Sequence, residues 1–149
     1  MKRQGDKRTP NELVFFDTNV LVYADDQSAA AKRENAIHLI AEHLRQGTAV
    51  ISLQVLQEYF AAVTRKLGVP AEIAQQKVEI LTRATVVRLN EFDLIAAIEL
   101  HRLRQIAFWD ALIVHAARSA GCALLYSEDE LGGGRIGDLS VVNPFKKKR

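Results

Sequence analysis

Cysteine and long apolar runs are the scarcest features of this sequence. Cys122 is the only cysteine, so no disulfide can form within the chain, as is typical of a reducing compartment. No apolar run approaches the roughly 20 residues of a membrane-spanning helix. The basic amino terminus is not followed by the apolar region of a signal peptide. We therefore expect a cytoplasmic protein that does not cross a membrane.

A large net charge is also missing. The formal net charge is +2, which is too small to indicate a nucleic-acid partner by itself. Basic residues do cluster at the two ends of the sequence. Such clusters can steer a polyanion, although they are more often solvated tails. We expect a basic, flexible amino-terminal tail over 1–12, a single domain over 13–145 and a basic tail over 146–149.

Short apolar segments alternate with amphipathic segments along the expected domain. Continuous apolar or β-branched runs predict strands over 13–17, 49–51, 85–89, 123–126 and 139–142. Helical spacing of apolar residues predicts helices over about 30–44, 53–67, 91–103 and 109–120, and another after Pro70. This alternation predicts an α/β fold, a three-layer α/β/α sandwich with a central parallel sheet of four to five strands.

Single residues add local predictions. Ser52 is suited to cap the helix that follows it, and Gly47 to end the helix before it. One apolar stripe of the second helix consists of Leu56, Phe60, Val63 and Leu67. Trp109 lies in an apolar stretch, and we expect it in the core rather than on a base-stacking surface. Cys122 is expected to be a small buried residue entering a strand.

Four acidic residues stand beside apolar segments, namely Asp17, Glu58, Asp110 and Asp129. A carboxylate next to buried sequence is costly unless it is paired or binds a metal. In parallel α/β sheets, ligands bind beyond the carboxyl ends of the strands, near a switch in strand order. Asp17 ends the first strand, Asp129 follows the fourth, and Asp110 begins a helix, whose dipole favours a carboxylate there. We expect these three to share one rim, as hard oxygen ligands suited to Mg²⁺ or Mn²⁺.

Each of these acids also has a simpler explanation. Asp17 could be a solvated acid in a turn, although it directly follows four apolar residues. Asp110 could merely cap its helix. Asp129 belongs to an acidic run with Glu128 and Glu130, which is typical of a solvated loop. Glu58 lies on the helical face opposite the apolar stripe, where an ordinary surface glutamate would look the same. The residues alone leave the roles of these acids open.

The sequences around the acids resemble those of the PIN domain family, in particular the VapC-type toxins of bacterial toxin–antitoxin pairs. The similar segments are Phe16 to Leu21, Ser52 to Tyr59, Phe108 to Ile113, Leu125 to Asp129 and Val141 to Phe145. Each segment is weak evidence alone, but all stand in the family's order and together they span about residues 13–145.

The resemblance implies a metal-dependent endoribonuclease that uses Mg²⁺ (or Mn²⁺). It assigns the catalytic and metal-binding roles to Asp17, Glu58, Asp110 and Asp129, with Glu128 as the rival for the fourth acid. It assigns a supporting role to Thr18, Asn19 and Ser127. The pair Phe108 and Trp109 is bulkier than the residues expected before the third acid, which bears on substrate fit.

The resemblance also implies partners. These are an RNA substrate, a second copy of the chain in a homodimer, and a cognate antitoxin protein whose carboxyl-terminal segment lies along the active-site groove. The amphipathic helices near 30–44 and 53–67 could supply a docking surface, or could only pack onto the sheet. Arg65 lies seven positions after Glu58 on the same helical face, where it either contacts a phosphate or is an ordinary exposed arginine.

Three other functions fit parts of the sequence. A PIN-type nuclease could have a housekeeping role in RNA processing. A phosphatase of the haloacid dehalogenase type also places an aspartate after a buried first strand, but Asn19 stands where its general acid would be. A non-catalytic interaction module would not need an acid at every matching position.

Overall fold

The computed structural model describes residues 12–131 and 134–146. Apart from Lys146, the basic residues of the two expected tails lie outside these described residues, as does part of the loop at 132–134. In chain order, the elements are β1 (Val14–Phe16), α1 (Thr18–Tyr23), α2 (Ala30–Gln46), β2 (Ala49–Ser52), α3 (Leu53–Arg65), α4 (Ala71–Leu81), β3 (Thr85–Val87), α5 (Glu91–Arg104), α6 (Phe108–Ser119), β4 (Leu124–Tyr126), β5 (Arg135–Ile136) and β6 (Leu139–Val142).

The strands form one sheet in the order β3-β2-β1-β4-β6-β5. Each neighbouring pair from β3 to β6 is parallel, and β5 alone pairs in the antiparallel direction, with β6. The predicted α/β fold with a central parallel sheet is therefore confirmed. β5 was not predicted, because a strand of two residues is too short to produce a hydrophobic pattern.

The strand order reverses between β1 and β4. The chain first runs outward from β1 to β2 and β3, and it then returns to place β4 on the other side of β1. Right-handed crossovers in opposite directions place their helices on opposite faces of a sheet. Every residue of β1 and β2 is accordingly buried, which explains why these strands are apolar without alternation. The reversal leaves an opening at the carboxyl ends of β1 and β4.

Local signals in the sequence define several element ends. The Ser52 hydroxyl accepts a hydrogen bond from the backbone N–H of Val55 at 3.2 Å and so caps α3, as predicted. Gly47 ends α2, also as predicted, and its φ of 72° lies in the left-handed region that favours glycine. Cys122 is buried, and burial raises the pKa of its thiol to about 12.

Two details differ from the prediction. Helix α1 starts directly after β1 and has only six residues, too few to show a helical period. In α3, the predicted apolar stripe is partly wrong, because Phe60 is 38% exposed whereas Tyr59 is buried with Val55, Leu56 and Val63. The face of α3 that packs on the core is therefore centred on Tyr59, and Phe60 lies at its margin.

No helix within residues 12–131 and 134–146 is long and apolar enough to cross a membrane.

Candidate active site

A cleft of about 720 Å³ opens where the strand order reverses. All four predicted acids line it: Asp17, Glu58, Asp110 and Asp129. Asp17 directly follows β1, Asp129 follows β4, Glu58 lies in α3, and Asp110 lies in the first turn of α6. Acids that are up to 112 residues apart in the chain, as Asp17 and Asp129 are, thus meet at one rim. This is the juxtaposition that the switch in strand order predicts.

Asp17 is the most buried of these acids, with 6% of its surface exposed. One carboxylate oxygen accepts a hydrogen bond from the backbone N–H of Thr18, and the other accepts one from the hydroxyl of Ser127, both at 2.7 Å. Burial raises the pKa of Asp17 to about 6, and the nearby charges of Asp129 and Asp110 add to the rise while the two hydrogen bonds oppose it. Binding of a proton or a cation at this carboxylate is therefore favoured.

Ser127 connects the two central strands at the site. Its side chain is fully buried, and its hydroxyl donates to Asp17 while accepting from the backbone N–H of Asp129 at 3.0 Å. Its own backbone N–H donates to the carbonyl oxygen of Val142 in β6. The hydroxyl is thus occupied in positioning Asp17 and the loop after β4.

Asp129 and Glu128 take different directions after β4. Asp129 lines the cleft and accepts a hydrogen bond from the Asn19 side-chain amide at 3.3 Å. Glu128 accepts hydrogen bonds from the Tyr23 hydroxyl at 2.8 Å and from the Lys32 ammonium group. Burial alone would raise the pKa of Glu128, but these two hydrogen bonds lower it below its ordinary value. Among the two rivals for the fourth acid, the structure places Asp129 in the cleft and pairs Glu128 with a lysine.

Asn19 contacts both Glu128 and Asp129 and helps to keep Asp129 directed toward the cleft. Its side-chain carbonyl accepts a hydrogen bond from the backbone N–H of Glu128 at 3.2 Å, while its amide donates to Asp129. The assignment of the amide's two ends follows from these two partners. Neither Tyr23 nor Lys32 carries a signal in the sequence that links it to the site, because their contacts with Glu128 span 105 and 96 residues.

Glu58 lies on the cleft and not on the general surface. Its carboxylate accepts hydrogen bonds from the Thr18 hydroxyl at 2.6 Å and from the Gln54 side chain at 3.2 Å. The residues that share its helical face also line the cleft, namely Gln54, Ala61, Ala62 and Arg65. The small side chains of Ala61 and Ala62 leave room beside the acid.

Asp110 does not cap its helix. The residue that caps α6 is Ala107, which makes no side-chain capping hydrogen bond, and Asp110 follows three positions later. Burial raises the pKa of Asp110, and the charges of Asp129 and Glu58 raise it further. Its carboxylate therefore contributes to the same concentration of negative charge as the other three.

The donor set suits a hard divalent cation, although the carboxylates are not gathered around one point. Burial raises the pKa values of Asp17 and Asp110, and neighbouring carboxylates raise them further; Mg²⁺ or Mn²⁺ binds such oxygens and relieves their repulsion. Within the described part of the chain, no three histidine, cysteine or acidic side chains are grouped closely enough to hold an ion. Glu58 and Asp129 are instead hydrogen-bonded to Thr18 and Asn19. The chemistry of these residues, carboxylates that line one cleft, fits the metal.

Two basic residues and a tryptophan also line the cleft. Arg65 and Lys66 lie at the end of α3, both exposed. Trp109 is 64% exposed, so the prediction that it belongs to the core is wrong. The apolar pattern of α6 concealed this, because the buried face of the helix begins only at Ala111.

Comparisons with known proteins address the family and the fold of the chain. The profile of the PIN domain matches residues 14–131. Among curated proteins, no significant sequence match is found.

Three solved structures are similar to the chain. VapC20 of Mycobacterium tuberculosis, described as a sarcin–ricin loop cleaving toxin, is 24% identical with a TM-score of 0.63, over 78% of this chain and 89% of that one. A chain of a toxin–antitoxin complex from Klebsiella pneumoniae is 17% identical with a TM-score of 0.66, over 90% and 99%. A chain of VapBC2 from Rickettsia felis, bound to a DNA fragment from the promoter, is 23% identical with a TM-score of 0.65, over 88% and 98%. At these identities the likeness shows the fold alone.

The family match covers most of the chain. Residues 14–131 include β1 to β4 and all four acids of the cleft. The chain belongs to the PIN domain family.

Proposed function

We propose that this protein is an endoribonuclease that depends on Mg²⁺ or Mn²⁺ and serves as the toxin of a toxin–antitoxin pair. The observation that carries the proposal is the buried carboxylate of Asp17, facing Asp110 and Asp129 across a cleft at the carboxyl ends of the central strands. Membership of the PIN domain family and the likeness to VapC toxin folds support it. Incubating the purified chain with single-stranded RNA and Mg²⁺ tests the proposal, and cleavage that stops with EDTA is the expected result.

The residues of the cleft would have two roles, metal binding and the positioning of the metal-binding carboxylates. Asp17, Asp110, Glu58 and Asp129 would hold the metal, which when bound supplies an activated water and offsets charge on the phosphate. Thr18, Asn19 and Ser127 keep the carboxylates oriented through the hydrogen bonds described above. Water attacks phosphorus and the P–O3′ bond breaks, with the proton passing to the leaving O3′. The products are 5′-phosphate and 3′-hydroxyl ends.

Arg65 is proposed to bind an RNA phosphate. Replacing Arg65 with Ala should weaken binding to single-stranded RNA of any sequence and flatten the salt dependence of binding by roughly one unit. The reason is that its guanidinium lies on the cleft, where it can release a counterion from the RNA backbone. Fluorescence anisotropy at several salt concentrations measures the slope.

The matched control is Arg45→Ala. Arg45 is also exposed and lies near the end of a helix, but α2 ends just before β2 begins, at the opposite edge of the sheet. If Arg65→Ala, Arg45→Ala and the wild-type protein all show the same salt dependence of RNA binding, Arg65 is an ordinary surface residue.

The antitoxin is proposed to dock on an apolar groove beside α2 and α4. The groove has a volume of about 340 Å³, and its apolar walls include Ile37, Ile40, Leu44 and Ile80. Ile37 and Ile80 are 39% and 46% exposed, so a partner would remove apolar surface from water there. This proposal follows from the expectation that the amphipathic helices near 30–44 and 53–67 supply a docking surface.

A homodimer is the other proposed assembly. One chain has a calculated mass of 16.6 kDa. Light scattering on the purified chain at micromolar concentration should give twice that mass. A monomer at that concentration, with no small protein co-purifying from the native cell, would count against the toxin role and leave the nuclease chemistry untouched.

A further inference from the structure

Trp109 is an exposed aromatic residue on the wall of the acidic cleft. It is the only tryptophan of the chain, it is 64% exposed, and it directly precedes Asp110. The Phe108 ring meets it edge-on, with ring centroids 5.0 Å apart. An indole with so much surface in water is costly for the free protein, because apolar area remains hydrated. Its position beside the acids suggests that the substrate covers it.

A second hollow lies on the other side of Trp109. It measures about 480 Å³ and shares Gln54 and Trp109 with the acidic cleft. Its apolar walls are Leu53, Val87, Leu89, Leu94 and Leu112. Polar residues also line it, among them Gln57 and Asn90, and its single charged residue in the described part of the chain is Glu91. Apolar walls with a few amide groups are the usual lining of a site for a flat heterocycle.

The charge of the acidic cleft limits what can bind beside it. Without a bound cation, the carboxylates of the cleft repel an RNA phosphate, so the uncharged base of a nucleotide is the better source of binding energy beside them. Trp109 and the apolar walls of the second hollow offer uncharged surface there, whereas Arg65 and Lys66 supply positive charge at the end of α3. A strand of RNA across the cleft can therefore have a phosphate at the acids and an adjacent base at Trp109.

We propose that Trp109 stacks on a nucleobase next to the scissile phosphate and that the second hollow receives this base. The inference rests on the proposed ribonuclease function and adds a base-binding subsite to it. The base must come from single-stranded or looped RNA, because a base within a duplex is already stacked on its neighbours. The indole is large enough to cover any of the four bases, so the subsite selects unpaired RNA before it selects a sequence.

Fluorescence of the sole tryptophan tests the contact without cleavage. The Asp17→Asn variant is titrated with a short single-stranded RNA and, in parallel, with an abasic oligomer of the same length and charge. Quenching by the RNA and not by the abasic oligomer is expected. Equal quenching by both, or none by either, overturns the proposal.

Substitutions test the energy of the contact. Trp109→Ala should weaken binding of labelled single-stranded RNA roughly 5- to 150-fold, the range expected for one stacked base. Trp109→Phe should retain much of the binding, because a phenyl ring still stacks. The control is Phe92→Ala, since Phe92 is 72% exposed in the first turn of α5 but lines neither hollow. Binding by Trp109→Ala that equals wild type overturns the proposal.

Two outcomes separate this inference from the function on which it rests. A wild-type protein that cleaves RNA while Trp109→Ala binds it unchanged refutes the subsite and leaves the nuclease. Base-dependent quenching in a protein that cleaves no RNA with either metal supports the subsite and refutes the nuclease. If Trp109→Ala halves the mass in light scattering and binds RNA normally per chain, Trp109 contacts a second copy of the chain and the subsite is wrong.

Discussion

Replacing Asp17 with Asn is expected to lower RNA cleavage at least roughly 100-fold, the loss typical of removing one electrostatic contributor at an active site, while the fold remains as stable or becomes more stable. The buried carboxylate would lose its charge, and with it the repulsion from Asp129 and Asp110. The amide can still accept from Thr18, and the Ser127 hydroxyl can rotate to accept in its turn. Cleavage rates and urea denaturation of both proteins provide the measurement.

The raised pKa of Asp17 also predicts how the stability of the fold changes with pH. The pKa of Asp17 rises from its ordinary 3.8 to about 6 in the folded protein. Between about pH 4 and pH 6, the folded state therefore holds a proton that the unfolded chain has released. As the pH rises from about 4 to about 6, the free energy of unfolding of the metal-free protein should therefore decrease, by up to about 3 kcal/mol. Asp17→Asn should remove most of this decline.

The control for both measurements is Asp138→Asn. Asp138 is an exposed aspartate between β5 and β6, outside the cleft. It should leave cleavage and the pH profile unchanged. Full cleavage by Asp17→Asn would refute the assignment of Asp17 to catalysis.

Removal of the metal is expected to abolish cleavage, and its addition should stabilise the fold. An ion that binds only the folded state adds about 2.7 kcal/mol to the free energy of unfolding at a hundredfold excess over its Kd. Mn²⁺ should therefore raise the melting temperature, and less so below pH 6, where Asp17 takes up a proton. Calorimetry with Mn²⁺ and with EDTA measures both effects.

Two neighbouring variants make this test specific. Asp129→Asn should lose much of the Mn²⁺-induced rise in melting temperature, because Asp129 faces the cleft. Glu128→Gln should keep it, because Glu128 is paired with Lys32 outside the cleft. The reverse pattern would make Glu128 the fourth acid, and a melting temperature that ignores Mn²⁺ in every variant would contradict a metal site.

The sequence predicts the architecture well for a physical reason. Strands covered on both faces must be continuously apolar, so β1 and β2 are visible without any alternation. An acid that interrupts such a run, as Asp17 does, then stands at the end of a strand where ligands bind. The apolar pattern of α6 places Asp110 near the start of a helix, but it leaves open whether Asp110 caps that helix or faces a site.

The remaining details depend on contacts between distant residues. Glu128 and Asp129 are adjacent acids, and only their links to Lys32 and Asn19 send them in different directions. Trp109 illustrates a different limit. Its apolar character fits the pattern of α6, but the pattern does not reveal that the first turn of the helix lies beside a cleft. Periodicity describes which side chains are apolar, and burial depends on what packs against them.

The pairing of β1 with β4 sets when the site can form during synthesis. The hydrogen bond between Ser127 and Asp17 joins residues 110 positions apart, and the strand that supports Ser127, β6, is made later still. Such distant pairings form late, because the intervening chain must be closed into a loop first. A nascent chain that ends before Ser127 has Asp17 without its hydroxyl partner and lacks Asp129 altogether. A fragment that ends before Ser127 therefore cannot assemble the acidic cleft.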